Sequence, residues 1–152
     1  MPRNITDFPL LTSEELGVAI IAMDLNTAPG PDEIPLLFFR KCWKTMHPIF
    51  TLICNGILRF SHHPTLWKQA KTIILPKVGK KDYALPGAYR PIALLPLFSR
   101  IFESAMTKRL YFFAETEHLL PDRHFGFRKF RRTSDGLEIL RDHIKNQRRH
   151  GR

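Results

Sequence analysis

Residues 71–95, KTIILPKVGKKDYALPGAYRPIALL, leave the chain few ways to fold. The β-branched run Thr72-Ile73-Ile74-Leu75 predicts a strand that ends in Pro76-Lys77. A basic loop containing Gly79 and Gly87 follows, and Tyr89-Arg90-Pro91-Ile92 opens a second apolar run. Two short antiparallel strands thus carry Lys77 and Arg90 at either end of a flexible connection. Arg offers a planar fork for phosphate oxygens and Lys a mobile point charge, so the pair is arranged to converge on one anion. By spacing alone the commoner outcome is a solvated basic hairpin, with Arg90 paired to a carboxylate.

The rest of the chain reads as helical. Thr12 and Glu15 form a capping box ahead of Leu16, Ala19, Ile20 and Met23, which predicts a helix over 13–24. Asn26 to Pro35, NTAPGPDEIP, breaks it with three prolines and a glycine. Within that turn Asp32 is expected to cap the helix starting near Ile34. Leu36 to Phe60 is helical in pattern but carries Pro48, which predicts two helices or a kink. Its expected core positions are Leu37, Phe38, Trp43, Ile49, Phe50, Ile53, Ile57 and Leu58. Residues 99–116 form a third helical pattern, with Ile101, Phe102, Ala105, Met106, Leu110 and Phe113 on one side. His124 to Arg132, HFGFRKFRR, reads as a short extended piece, or as a β-bulge or turn, with Phe125 and Phe127 in the core. A last helix spans 133–149, with Asp135 and Glu138 as a second capping box. The fold class is α+β, mainly helical with a small antiparallel β-hairpin, and 1–152 reads as one domain.

Charge is unevenly spread. The net charge is +10, of which residues 123–152 supply +7 from 10 Lys/Arg and 3 Asp/Glu. A basic tail of that density suits a polyanion or a solvated charged face. No apolar run approaches the ~20 residues needed to span a bilayer, and MPRNITDFPLL has no apolar core long enough for a secretory signal. The nucleus or cytoplasm is the expected location, with no membrane partner. Cys42 and Cys54 lie in apolar helical sequence and read as free core thiols. Neither Cys42 with His47 nor Cys54 with His62 and His63 has zinc-ligand spacing, so no metal site is expected.

Six ordered blocks add a likeness. They are Ala28-Pro29-Gly30-Pro31-Asp32-Glu33-Ile34-Pro35, Trp67-Lys68-Gln69-Ala70, Ile74 to Asp82, Tyr89 to Leu95, Phe125-Gly126-Phe127-Arg128, and Arg132-Thr133-Ser134-Asp135. In order and spacing the chain resembles reverse transcriptases of non-LTR (LINE-type) retrotransposons from about residue 8 to 152, the hairpin wording being nearest to fungal elements. The chain departs from the family at Glu33, where glycine is usual, and at His124, where glutamine is usual.

The resemblance implies the fingers of a reverse transcriptase. It assigns Lys77 and Arg90 to the triphosphate of the incoming nucleotide, and the block at Phe125–Arg128 to the template strand. An aromatic and basic mix suits that second role, with phosphate contacts expected from Arg128, Lys129, Arg131 and Arg132. Two-metal nucleotidyl transfer needs paired carboxylates. The family's first catalytic aspartate follows a Gly-Arg like the one at the end of this sequence. Its second lies in a Tyr/Phe-Ala-Asp-Asp turn, and neither motif occurs in residues 1–152. Asp32, Asp135 and Asp142 carry no weight as ligands. The chain therefore reads as a truncated reverse transcriptase domain without catalytic residues or cofactor of its own. Mg²⁺ is expected only for the complete enzyme, and the partners are an RNA or DNA template-primer and the missing palm and thumb. The alternatives are a nucleic-acid-binding remnant and a helical protein-interaction module.

Overall fold

A computed structural model describes residues 9–149. Residues 1–8, most of the N-terminal stretch read for a signal, and the last three residues of the basic tail lie outside them. Two compact units are present, residues 1–108 and residues 109–152. The elements are α1 (Ser13–Ala22), α2 (Leu36–Phe60), β1 (Lys71–Pro76), β2 (Tyr89–Leu94), α3 (Leu97–Thr116) and α4 (Thr133–Arg149). The architecture is α+β, with the two strands forming an antiparallel sheet.

The first unit is built on α1, α2 and the start of α3. Both arms of the capping box form: the Glu15 amide donates to Thr12 Oγ1 at 3.2 Å and the Thr12 amide to Glu15 Oε2 at 2.8 Å. Helix α1 has no basic residue in its last turn. Arg40 of α2 supplies one, its guanidinium donating to the carbonyls of Ile20, Ile21 and Met23 at 3.3, 3.0 and 2.8 Å. Asn55 of α2 holds the chain ahead of α1 by exchanging two hydrogen bonds with the Leu11 backbone. The core gathers Leu16, Ala19 and Ile20 from α1, Leu36, Phe39, Phe50 and Cys54 from α2, and Leu97, Ile101, Phe102 and Ala105 from α3. Phe39 meets Phe50 and Phe98 edge-on at 5.5 and 4.8 Å. Each buried large side chain contributes about 1.5–3 kcal/mol.

Of the two alternatives for α2, the single helix is found, a run of 25 residues with Pro48 inside it. Its expected core positions are corrected in part. Its buried stripe is Leu36, Phe39, Phe50 and Cys54, whereas Leu37, Phe38, Ile49 and Ile53 are exposed. The helix starts directly after Pro35, and that start sets which way Leu36 and Phe39 face. Along α3, Leu110 and Phe113 are exposed as well. Burial of the Cys54 thiol pushes its pKa up to about 12, while Cys42 is only partly covered.

The Asn26–Pro35 turn does more than break a helix. Its Asp32 does not cap α2. Asp32 Oδ2 instead accepts the Leu97 amide at 2.8 Å, across 65 residues, at the first turn of α3. Gly30 lies so close to the β2–α3 link that an added Cβ would sit 2.2 Å from the Leu95 carbonyl oxygen. Arg100 adds a hydrogen bond to the Ala28 carbonyl at 3.1 Å. Glu33 closes the turn, its amide donating to the Gly30 carbonyl at 3.1 Å. Its φ is 53°, a left-handed conformation that favours glycine.

The turn therefore keeps a glycine-like shape with a glutamate in it, at a cost of about 1–2 kcal/mol. Glu33→Gly is expected to stabilise the chain by about 1 kcal/mol, since glycine relieves the strain but frees the unfolded chain. Gly30→Ala is expected to destabilise it by about 2–3 kcal/mol through a clash with backbone that cannot turn aside. Urea denaturation of both variants checks this: equal midpoints would contradict the role given to the turn.

Candidate functional site

The hairpin brings Lys77 and Arg90 to one end of one sheet face. In the ladder Leu75 pairs with Arg90 and Pro76 with Tyr89. One step further, the Lys77 amide donates to the Ala88 carbonyl at 2.8 Å. Side chains alternate across a pleated strand, so Leu75, Lys77 and Arg90 share a face. Lys77 and Arg90 are diagonal neighbours on it, about 7–8 Å apart. Among the described residues, Arg90 has no side-chain hydrogen bond or ion pair, and it is exposed. The carboxylate partner that a plain basic hairpin would give it is not found among them.

Lys77 is held differently. Its ammonium donates to the Gly87 carbonyl at 2.8 Å, across the base of the loop. An ammonium has three donors, so two are left for an incoming anion. Gly79 takes a φ of 79°, which lets the chain turn sharply after Lys77. Lys80 and Lys81 are exposed in the loop.

The second candidate cluster lies in the second unit, between α3 and α4. Arg128 is not a free cation. Its Nε and Nη2 bind both oxygens of Glu115 at 2.8 and 2.6 Å, and Nη1 donates to the Pro121 and His124 carbonyls. The Arg128 side chain is only 10% exposed. The fork read as a phosphate contact is thus spent on tying the segment to α3. Lys129 stands over the Tyr111 ring at 5.3 Å and Arg131 over the Phe125 ring at 5.8 Å. Lys129, Arg131 and Arg132 are all exposed.

The segment is a series of turns rather than an extended piece. Phe125 is partly covered and packs on Gly136. Phe127 is fully exposed, so its expected place in the core is corrected, and Phe130 is exposed too. The reason is backbone shape: both have left-handed φ values, 57° and 61°, which turn the rings outward. At the start of α4 the expected capping box of Asp135 with Glu138 is corrected: the helix already begins at Thr133, so Asp135 lies in its first turn, where Oδ2 accepts the Arg132 amide at 2.8 Å.

No group of three His, Cys, Asp or Glu among the described residues could hold a metal ion. The aspartates are engaged apart from one another, Asp32 by Leu97, Asp135 by Arg132 and Ser134, and Asp142 by Arg141 at 3.3 Å. These carboxylates do not fit a two-metal clamp. No helix among the described residues is long and apolar enough to cross a membrane.

In sequence the chain is similar, over most of its own length, to parts of RNA-directed DNA polymerases of mobile elements. It is 33% identical over 131 residues to the probable RNA-directed DNA polymerase from transposon BS of Drosophila melanogaster, a match covering 86% of this chain and 14% of that protein. It is 31% identical over 140 residues to the probable RNA-directed DNA polymerase from transposon X-element of the same species, covering 91% of this chain and 15% of the relative. It is also 31% identical over 118 residues to the RNA-directed DNA polymerase from mobile element jockey, covering 78% of this chain and 13% of the relative. No family model matches the chain. The chain spans about one seventh of the length of these relatives and is homologous to them over most of its own.

The Arg128–Glu115 pair gives a pH test. The hydrogen bond from Arg128, with its charge, holds the Glu115 carboxyl below its ordinary value of 4.5, against the effect of burial. A carboxyl lowered by folding adds stability above its unfolded pKa and loses it as pH falls through the lowered value. Glu115→Gln is therefore expected to lower the urea midpoint at pH 7. The gap between the two proteins should close as pH drops below 4.5. A gap that persists unchanged into acid would show that the carboxylate charge is not what ties Arg128.

Proposed function

We propose that this chain is the fingers portion of an RNA-directed DNA polymerase of a non-LTR retrotransposon. Lys77 and Arg90 take the phosphates of the incoming nucleotide, and the 123–149 segment follows the template. The observation that carries this reading is the pair of cations on one sheet face, in a chain that matches such polymerases over 86% of its length. The match supports a larger polymerase as the natural context, with palm and thumb as partners and RNA or DNA as template-primer. The pair of Mg²⁺ ions belongs, on this reading, to carboxylates of the complete enzyme. The hairpin wording supports an element of the fungal type, acting in the nucleus or cytoplasm.

On the template side, phosphate contact falls to Lys129, Arg131 and Arg132, with Arg128 holding the segment through Glu115. Phe127 and Phe130 stand outward among these cations, a combination that suits single-stranded nucleic acid, where rings stack on bases. A second reading has one observation in its favour. Leu137, Leu140 and Ile144 form an exposed apolar stripe on α4, as a protein-interaction module would have.

Titration of labelled single-stranded RNA at several salt concentrations separates the two. Template binding requires an affinity that falls steeply with salt. Replacing Lys129, Arg131 and Arg132 with Ala should flatten the log K against log salt slope by at most about three units. Replacing Phe127 and Phe130 with Ala should weaken binding by about 1–3 kcal/mol for each stacked base and leave the slope alone. Absence of binding at low salt would favour the interaction module. Primer extension by the 152-residue chain on an RNA template is expected to give no product above a heat-killed control.

A further inference from the structure

The loop joining β1 to β2 is cross-braced by two tyrosines that the nucleotide reading does not use. The Tyr83 hydroxyl donates to the Lys77 carbonyl at 3.0 Å. The Tyr89 hydroxyl donates to the Tyr83 carbonyl at 3.0 Å. The two rings meet edge to face with centroids 6.3 Å apart. Asp82 folds the chain into Tyr83, its Oδ1 accepting the Ala84 amide at 2.8 Å. With the amide on Ala88 and the ammonium on Gly87, every polar group of Lys77 is engaged by its own loop.

We infer that Tyr83 is a positioning residue whose hydroxyl fixes Lys77 so that its ammonium and Arg90 face one anion together. Without the brace, Lys77 follows directly on a strand end and leads into Gly79, a residue with little conformational restraint. The tyrosine hydroxyl holds the Lys77 backbone from the loop side while Ala88 holds it from the strand side. The side chain is then left with few places to go. Tyr89 ties the bracing residue itself back to β2, so the loop cannot open without breaking both hydroxyl bonds. This inference rests on the reading of Lys77 and Arg90 as an anion grip.

The test uses the full chain, Tyr83→Phe, which keeps the ring and removes only the hydroxyl, and inorganic triphosphate as the probe. Loss of one neutral hydrogen bond is expected to weaken triphosphate binding about three- to tenfold. The salt slope should stay as it is, because no charge has gone. Lys77→Ala should instead lower that slope by about one unit. Equal affinity in the original chain and Tyr83→Phe would overturn the inference.

A second measurement is independent of any ligand: the rate at which an acetylating reagent modifies each lysine, read by peptide mass spectrometry. Tyr83→Phe should speed acetylation of Lys77 and leave Lys80 and Lys81 unchanged. If triphosphate binds neither protein but this change is seen, the grip fails and the brace stands. An unchanged Lys77 rate would overturn the brace.

Discussion

The contact on which the first unit depends is made by three residues of a turn. Gly30 presses its bare backbone against Leu95, Asp32 caps α3 at Leu97, and Arg100 returns a hydrogen bond to Ala28. The link between β2 and α3 is thereby gripped from both ends. That grip fixes where the hairpin leaves the helical base. Without it the two-stranded sheet would have little to hold it, since isolated hairpins are marginal in water and neither strand contains a buried residue. Close approach excludes any side chain at position 30, and the αL conformation at 33 is held despite the glutamate there. A packing requirement at one residue and a strained φ at another thus serve the same contact.

Net charge alone does not say which cations are accessible, because several are already engaged. Arg40 closes the end of α1, Arg100 holds the Ala28 carbonyl, Lys108 donates to Val18, and Arg128 is bidentate on Glu115. These bonds satisfy backbone carbonyls or a carboxylate that would otherwise be left short of partners, so they are structural. Of the candidate cations, Arg90 on the hairpin and Lys129, Arg131 and Arg132 before α4 are exposed, while Lys77 is partly covered and donates to Gly87.

Much of the fold was legible in the sequence because its signals are local. The Thr12–Glu15 box and the β-branched run at 72–75 each act within a few residues, and each element appears where its signal lies. Helix phase was harder: in α2 the apolar residues surround the axis, and only the start at Leu36 decides that Phe39 is buried and Phe38 exposed. What stayed hidden was long-range. Nothing near Asp32 announces Leu97 as its partner, and nothing near Arg128 announces Glu115. The Tyr83–Tyr89 brace left no pattern, since six residues apart in a loop is not a spacing with structural meaning. The likeness of six ordered blocks located the candidate cations, and the structure showed that Arg128 among them is already bidentate on Glu115.

The central claim is that the hairpin face is where an anion is bound. Amide hydrogen exchange, followed by mass spectrometry with and without a deoxynucleoside triphosphate, tests it most directly. Slowed exchange in peptides covering Lys77 to Arg90, with the core helices unchanged, is the expected result. Exchange in those peptides that is indifferent to the nucleotide, or protection confined to residues 123–149, would contradict it.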